Sequence, residues 1–276
     1  MILTPSNYFT AENKYLSNSK INDWFKCHNY FYKKHITHEL VEDKTGAMVT
    51  GGAVDNILTD MKNISDGKYV VRQFNGTTKE GKEETIRLRE QGKTILTQKE
   101  YDDIMGMAIA VSETSAYKDL KDHKAQDILH VDMEIGPHFA GLCGIPDWYT
   151  IVGDMCIITD LKTSRVIEEK RYYYHAREYG YFRQLALYGM MLQKLHPEIE
   201  EFVYRHLVVC KDKNVWTVKA FIIDGNEVKK AAGYICDAIE QISNEKDFKK
   251  EDASWESAKL ITNPQSTTDW FEGEEE

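Results

Sequence analysis

The sequence predicts an α/β fold in which a central mixed β-sheet is flanked by helices, with additional helices at the N-terminus. Three observations predict it. Residues 97–117 carry apolar side chains at helical spacing after a capping signal. Residues 127–161 contain apolar runs separated by turn residues, which indicates neighbouring strands. A long helical stretch, two further strands and a last helix follow, and this order is typical of a mixed sheet covered by helices.

The first two helices are predicted from capping residues and apolar spacing. Ser17 or Ser19 can cap a helix that carries Trp24 and Phe31 at broadly helical intervals. Residues 46–63 form a second predicted helix, although the glycines among them disfavour it.

A polar segment separates these helices from the rest of the fold. Residues 64–96 are charged and interrupted by glycines, with at most short strands at 69–74 and 94–96. We interpret this segment as a flexible insertion. Thr97 and Glu100 then have capping-box spacing and begin the next helix.

The second half of the chain supplies the sheet. Apolar runs bounded by Gly-Pro and Gly-Asp turns predict a three-stranded meander, and a long helix ending before Pro197 follows it. The predicted strands are 127–135, 138–151 with a break at Pro146, and 155–161, then 202–210 and 215–223 after a helix over 171–195. Asp224 and Glu227 have capping-box spacing at the start of the last helix.

The charge distribution divides the chain into a body and a tail. The 276 residues carry a net charge of −10, and residues 245–276 hold ten acidic side chains against four lysines, a net of −6. We therefore predict one domain over residues 1–244 and an acidic, disordered tail over 245–276. An alternative is that Trp270 and Phe271 belong to a segment that docks on a partner or occupies a basic cleft.

Composition also excludes several classes of protein. No run of about 18 apolar residues is present, so we expect no membrane span. The first 14 residues lack the basic and apolar regions of a secretory signal, and we expect a cytoplasmic protein. The five cysteines are scattered and never in CxxC spacing, which argues against a zinc ribbon.

One basic and aromatic segment suits contact with nucleic acid. Residues 161–183 hold six Lys or Arg side chains against three Glu, interleaved with five tyrosines and a phenylalanine. Cations bind phosphates, and aromatic rings stack on bases. The alternative is an ordinary helix with one solvated face and one aromatic core face.

Acidic residues and a lysine meet where an apolar strand ends. Asp160 and Lys162 are two residues apart and point to the same face of their strand. If residues 147–152 pair with 155–161 as a hairpin, Asp147 lies close to both. Glu134 ends the preceding strand and can add a carboxylate. These ligands suit Mg²⁺, and a neighbouring lysine can activate water or offset charge on a phosphate. The alternative is a surface ion pair.

The pattern Pro146-Asp147, hairpin, Asp160-Leu161-Lys162 resembles the PD-(D/E)XK nuclease superfamily. The order G-x-x-D, D-x-K-T and a later Q-x-x-x-Y, here Gln184 to Tyr188, is similar to its RecB-like branch. The segments "YLSNSKINDWFKC", "GGAVDNIL", "GKTILTQKEYDDIMGMAIAV" and "DLKTSRVIEEKRYYYHAREYGYFRQLALY" resemble the phage RecE-like (exonuclease VIII) group. This resemblance covers most of residues 15–195.

The resemblance implies a restriction-endonuclease-like core and a role for each matching residue. Glu134, Asp147, Asp160 and the Leu161 carbonyl would hold Mg²⁺ or Mn²⁺, and Lys162 would be the catalytic amine. Gln184 and Tyr188 would hold either the DNA strand or the lysine, although Tyr188 can also be a core residue. Nucleic acid would contact the polar and basic residues that follow the motif, namely Ser164, Arg165, Lys170, Arg171, Tyr174, Arg177 and Arg183.

The sequence departs from the RecB-like pattern on the second helix. This branch usually carries a histidine there, and the sequence has Asp55. Asp55 either binds the metal in place of the histidine or is a solvated helix residue outside the site.

The resemblance implies an exonuclease that acts 5′ to 3′ on linear double-stranded DNA with free ends, in phage-type recombination or DNA processing. We expect a homo-oligomer without membrane contact, working with a single-strand annealing or single-strand binding protein in the bacterial cytoplasm. Two alternatives stay open. One is a catalytically inactive DNA-binding or scaffold protein on the same fold, and the other is a nuclease subunit of a helicase or defence complex.

Overall fold

A computed structural model describes residues 3–5, 7–10, 13–40, 45–59, 67–211 and 215–244. By its internal contacts the chain separates into residues 1–246 and residues 247–276, and the described residues all lie in the first unit. The predicted acidic tail, residues 245–276, lies outside the described residues and stays a prediction.

The predicted helices and strands are present in the predicted order among the described residues, but the predicted first helix, which carries Trp24 and Phe31, divides at Cys27 into two helices because Cys27 is extended. The helices are α1 (Asn18–Lys26), α2 (His28–His35), α3 (Gly46–Thr59), α4 (Lys79–Glu90), α5 (Gln98–Ser112), α6 (Ser115–Lys118), α7 (Glu169–Glu178), α8 (Tyr181–Leu195) and α9 (Gly225–Asn244). The strands are β1 (Tyr15–Leu16), β2 (Tyr69–Val71), β3 (Thr94–Leu96), β4 (Lys124–Ala125), β5 (Leu129–Ile135), β6 (Phe139–Gly144), β7 (Trp148–Val152), β8 (Met155–Ser164), β9 (Glu201–Cys210) and β10 (Val218–Ile223).

The central sheet is mixed, which confirms the predicted fold class. Its strand order is β10-β9-β8-β7-β4; β8 and β9 are parallel and the other neighbours are antiparallel. The ten-residue β8 lies in the middle of this sheet with helices on both faces, so polar side chains of this strand can also be buried. Asp160, for example, is only 1% exposed.

Helices α3 and α5 cover one face of this sheet, and α8 packs on the other. Val54, Ile104 and Met107 pack with Trp148 and Leu161 in one buried cluster. This burial fixes α3 against β8 through the hydrophobic effect. Helix α8 also contacts β5 and β6, which belong with β1 to a separate three-stranded sheet of order β1-β6-β5.

The predicted strand over residues 138–151 and the predicted three-stranded meander both need correction. The predicted strand 138–151 divides at Pro146 into β6 and β7, and these two lie in different sheets. The predicted three-stranded meander therefore becomes two hairpins, β5–β6 and β7–β8. The proline lacks a backbone N–H, so the chain can leave one sheet there without losing a ladder hydrogen bond.

The predicted long helix 171–195 is two helices, α7 and α8. Gly180 separates them with φ of +71°, a left-handed conformation that glycine adopts without strain. A Cβ on Gly180 would also lie 2.6 Å from Asn22 Oδ1. A left-handed glycine directly after the C-cap residue of a helix is a common way to end it, and the apolar periodicity does not reveal this break.

The predicted insertion at 64–96 contains the two short strands and an additional helix, α4, that the sequence analysis missed. Thr78 caps α4 by accepting a hydrogen bond from Gly81 N–H at 3.1 Å. Only Gly81 and Leu88 of α4 are buried. A helix with so little apolar surface leaves no helical stripe in the sequence.

The helix caps agree with the predictions except at α9. Ser17 caps α1, and Thr97 and Glu100 form the predicted capping box of α5. At α9, Asp224 accepts from Asn226 N–H at 2.8 Å. Glu227 instead accepts from Tyr173 OH at 2.8 Å, so the predicted capping box is not formed.

Among the described residues, no helix combines the length and the apolar character that crossing a membrane requires.

Two glycine substitutions should change stability in opposite directions. In Gly144→Ala the new methyl would lie 2.7 Å from Tyr188 Cε1 and 2.8 Å from Met191 Cε, where α8 packs on β6. We expect a loss of about 1–3 kcal/mol in the free energy of unfolding. Gly233→Ala in α9 meets open space and should gain about 0.5–1 kcal/mol. Urea denaturation of both variants checks this pair, and equal stabilities would contradict the packing shown here.

Candidate active site

The β7–β8 hairpin brings Asp147 next to Asp160, as the sequence predicts. Trp148 pairs with Thr159, so Asp147, one residue earlier, lies beside Asp160 in the middle of β8. Asp147 Oδ2 accepts a hydrogen bond from Leu161 N–H at 2.7 Å. The Leu161 main chain therefore meets the site through its N–H, whereas the metal contact of its carbonyl stays a prediction.

A third carboxylate, Asp55, reaches the same place from α3. Gln126 Nε2 lies 3.3 and 3.2 Å from the two Asp55 oxygens and 3.3 Å from Asp147 Oδ1. One side-chain amide thus donates to both carboxylates. Of the two interpretations of Asp55, the structure favours the one that brings this residue to the site.

Burial raises the pKa of all three carboxylates, and neighbouring negative charge adds to the shift at Asp55 and Asp147. Burial and the charge of Asp160 raise the pKa of Asp55 to about 7. Burial, followed by the charges of Asp55 and Asp160, raises the pKa of Asp147 well above its usual range. Burial also raises the pKa of Asp160, against the opposing effect of Lys162. One buried and two half-buried carboxylates therefore face a single lysine, and the cluster lacks positive charge.

Lys162 supplies the positive charge of the cluster. Its Nζ forms an ion pair with Asp160 Oδ2 and lies 4.6 Å from the centre of the Tyr181 ring. Burial lowers the pKa of Lys162, but the charges of Asp160 and Asp147 raise it more, and the net shift is upward. Lys162 is therefore held as a cation.

A chain of hydrogen bonds from α8 orients Lys162. Lys162 Nζ donates to Gln184 Oε1 at 2.8 Å, and Gln184 Nε2 donates to Tyr188 OH at 2.8 Å. Tyr188 OH in turn donates to the Ile145 carbonyl at 2.9 Å. Of the two predicted contacts for Gln184, the structure contains the one with the lysine. Tyr188 is buried in the core and also takes part in this series of hydrogen bonds.

The donor set fits a hard divalent cation. Asp160 is buried, its Oδ2 is taken by the ion pair with Lys162, and its Oδ1 has no hydrogen-bond partner among the described residues. Carboxylate oxygens are the ligands that Mg²⁺ prefers. As they stand, no three Asp, Glu, His or Cys side chains of the described part of the chain are arranged to hold a metal. Lys162 and the Gln126 amide occupy the positions between the carboxylates, and an ion would have to displace these contacts.

Glu134 is not brought to this cluster, which corrects its predicted role. Leu129, at the start of β5, pairs with Gly144, and Ile135 at the other end pairs with Phe139. Glu134 therefore lies at the end of β5 away from Asp147, and its side chain is exposed. The antiparallel register, which the sequence does not specify, decides this position.

The residues predicted to contact nucleic acid divide into exposed and engaged side chains. Ser164 is buried, and its hydroxyl accepts from Val166 N–H at 3.0 Å, so it holds a turn. Arg183 Nη2 donates to Asn22 Oδ1 at 2.8 Å and thereby ties α8 to α1. The four basic residues Arg165, Lys170, Arg171 and Arg177 are exposed, and Tyr174 is half-buried.

Two residues near the site were missed by the sequence analysis. Gln126 lies in a short loop with φ of +55°, a strained conformation that often marks functional positions. His206 pairs with Asp160 across the β8–β9 register and is fully buried. Its Nδ1 lies 3.1 Å from Tyr172 OH, while Nε2 has no partner among the described residues. The one available signal was a histidine inside an apolar strand.

Comparisons with known proteins agree on the fold. The family described as "PDDEXK-like domain of unknown function (DUF3799)" matches residues 17–263. A solved structure from Eubacterium rectale, described as "Putative exonuclease", superposes with a TM-score of 0.63 at 16% identity, covering 99% of each chain. At this identity it shows the fold alone. SSO0001 superposes with a TM-score of only 0.32 at 14% identity, over 79% of this chain and 88% of its own. No curated protein matches the chain.

Divalent ions should stabilise the folded chain. Mg²⁺ or Mn²⁺ at a hundred times its dissociation constant should add about 2.7 kcal/mol, because it binds the folded state. Asp147→Asn should lose most of this gain, since an asparagine oxygen keeps the bond to Leu161 N–H but loses the charge. Glu134→Gln is the matched control and should keep the gain. Thermal melts with and without the ion check this, and loss of the gain only in Glu134→Gln would contradict the site.

Asp55→Asn should change how the stability of the metal-free chain depends on pH. The pKa of Asp55 is raised to about 7 in the folded state, above its usual 3.8. The folded state therefore holds this proton more tightly, and stability falls as pH rises from about 4 through 7. The variant lacks this contribution and should lose less stability between pH 5 and pH 8. Melting curves in EDTA measure it, and parallel pH profiles would count against the buried cluster.

Proposed function

This chain belongs to the family of PDDEXK-like domains, and from that premise we propose that it is a Mg²⁺-dependent deoxyribonuclease. The predicted PD-(D/E)XK superfamily is confirmed by the family match, whereas the narrower RecE-like group stays a prediction. We propose an exonuclease that hydrolyses phosphodiester bonds of linear double-stranded DNA. Its 5′ to 3′ direction and its part in phage-type recombination rest on the resemblance to the RecE-like group.

The meeting of Asp147, Asp160 and Lys162 at the end of the β7–β8 hairpin carries this proposal. Asp160 and Lys162 follow Asp147 by 13 and 15 positions in the sequence. Asp147 Oδ2 accepts a hydrogen bond from Leu161 N–H at 2.7 Å, and Asp160 and Lys162 form an ion pair, so the three side chains converge. A buried and a half-buried carboxylate beside a cationic amine suit the transfer of a phosphoryl group to water. A surface ion pair would not need this burial.

Asp147 and Asp160, with Asp55 beside them, would hold the metal. When bound, Mg²⁺ or Mn²⁺ polarises phosphate oxygens and lowers the pKa of a coordinated water. Lys162 is held beside Asp160 by an ion pair, and its ammonium group would offset negative charge that develops on the phosphate. Gln184 keeps the ammonium in place through its 2.8 Å hydrogen bond.

Helix α7 supplies a surface for the DNA backbone. Lys170, Arg171 and Arg177 are exposed on this helix, which follows β8 directly in the chain. Such contacts release counterions from DNA, so binding should weaken as salt increases. The net charge of the whole chain does not oppose this, since more than half of it belongs to residues 245–276.

A second candidate is a catalytically inactive DNA-binding protein. The hydrogen bonds of Gln126 to Asp55 and Asp147 favour it, because they satisfy two carboxylates without an ion. Such a protein would bind DNA but would gain no stability from Mg²⁺ or Mn²⁺ at the carboxylates.

Lys162→Ala and Asp160→Ala should abolish the digestion of linear duplex DNA with Mg²⁺. Gln184→Leu should lower the rate about 10- to 100-fold, since it removes the oxygen that orients Lys162. Lys194→Ala, an exposed lysine on the same helix as Gln184, is the matched control and should keep full activity. The assay compares 5′- and 3′-labelled linear DNA with circular DNA. Full activity in Lys162→Ala, with an unchanged melting temperature, would defeat the proposal.

A further inference from the structure

A cavity of about 480 Å³ lies between α7 and the segment that joins β10 to α9. Its volume is within the roughly 300–1,000 Å³ of small-ligand sites. Aromatic side chains from α7, α8 and β10 form much of its lining, namely Tyr172, Tyr173, Tyr174, Phe182 and Phe221. Lys170 and Tyr174, which were predicted to contact nucleic acid, also line it, and no role proposed above involves the other lining residues.

The cavity lies beside the active site on the same face of the sheet. Asp160 pairs with His206 in β9, and His206 pairs with Phe221 in β10, so the three side chains form a row across the sheet. Two strand spacings, about 10 Å, separate Asp160 from Phe221. Phe182 lines the cavity and stacks on His206 with ring centres 6.2 Å apart. A nucleotide close to the cut phosphate could therefore reach it.

The aromatic lining suits a flat ring. Tyr172 and Phe221 stack with centres 4.8 Å apart and an angle of 12° between them, which gives the cavity one flat wall. Tyr174 is half-buried and accessible from solvent. Every nucleobase has a π-face that can stack on such rings once it leaves the DNA stack.

The charges are distributed as a bound nucleotide requires. Glu169 and Asp224 line the cavity, and carboxylates accept hydrogen bonds from N–H groups at base edges. One cation, Lys170, also lines the cavity. Others lie next to the lining: Lys230 Nζ donates to Glu227 Oε1 at 2.7 Å, and Lys230 and Arg177 lower the pKa of the Glu227 carboxyl. Acceptors inside would contact the base, and the surrounding cations would contact the phosphates. A phosphate group alone would be repelled by the lining.

We propose that this cavity is a nucleobase-binding site, which takes one unstacked base, guanine by preference, from a single-stranded segment next to the active site. Guanine is preferred because its N1–H and its 2-amino group present two adjacent donors to one carboxylate. The inference rests on the proposed nuclease function and adds to it a preference for frayed or single-stranded ends.

The experiment measures binding without cleavage. The full chain with Lys162→Ala, in EDTA, is titrated into fluorescein-labelled oligothymidylates of ten nucleotides that carry one central guanine, one inosine or neither. Inosine lacks the 2-amino group and is otherwise matched to guanine. Fluorescence polarisation should show several-fold tighter binding of the guanine oligonucleotide than of the other two.

Substitutions of residues that line the cavity test whether the preference for guanine arises there. Tyr174→Ala should weaken binding of all oligonucleotides about tenfold, because one stacking surface is lost. Glu169→Gln with Asp224→Asn should remove the guanine preference and keep the rest of the affinity. Tyr179→Ala and Glu178→Gln are matched controls on neighbouring positions that do not line the cavity, and they should bind like the parent. Melting temperatures verify folding, and the inosine comparison needs no variant of the lining.

Cross-linking gives a readout that is independent of affinity. A 6-thioguanine oligonucleotide, irradiated and digested, should attach within residues 172–174 or 221–223. Cross-links elsewhere, or equal binding of the oligonucleotides with guanine, inosine and thymine, would overturn this inference. If the unmodified chain still cleaved DNA with Mg²⁺, the proposed function would stand in that case. Guanine-dependent binding at the cavity without any cleavage would keep the site and overturn the nuclease proposal.

Discussion

The ion pair between Lys162 and Asp160 is the constraint on which the site depends. Asp160 is buried in the central strand, and Asp147 and Asp55 add two more carboxylates to the same small volume. Unpaired charges are costly inside a protein, so the cluster requires either compensating positive charge or bound protons, which the raised pKa values of Asp55 and Asp147 reflect. Lys162 supplies part of it, and Gln126 supplies hydrogen bonds. The remaining deficit is what a divalent cation would fill.

The scaffold holds this unfavourable cluster through contacts made elsewhere. Leu161 and Trp148 pack with α3 and α5 on one face of the sheet. On the other face, Gly144 lets α8 approach β6, and Tyr188 then reaches the Ile145 carbonyl. Apolar burial thus positions the series of hydrogen bonds that runs from Tyr188 through Gln184 to Lys162. The same packing sets His206 and Phe182 between the carboxylates and the aromatic cavity.

The sequence predicted the features that depend on local patterns. Capping at Ser17 and Thr97 follows from neighbouring residues, and the fold class follows from the order of apolar runs. The position of Asp147 beside Asp160 followed from one short hairpin with a clear turn. Alternation along a strand then placed Lys162 on the same face as Asp160. Helix α4 was missed because its solvated surface leaves no apolar period, and the break at Gly180 was missed because the apolar period continues across it.

What the sequence by itself determined is therefore the order of elements and the core of the motif, Asp147, Asp160 and Lys162. Only the tertiary structure decided that Asp55 and Gln126 join this site, that Glu134 lies away from it, and that Arg183 is engaged by α1. The physical reason is the range of the interactions. Caps, turns and strand alternation act over a few residues, whereas sheet register and helix packing join residues that are tens of positions apart, and no local pattern records which of them will meet.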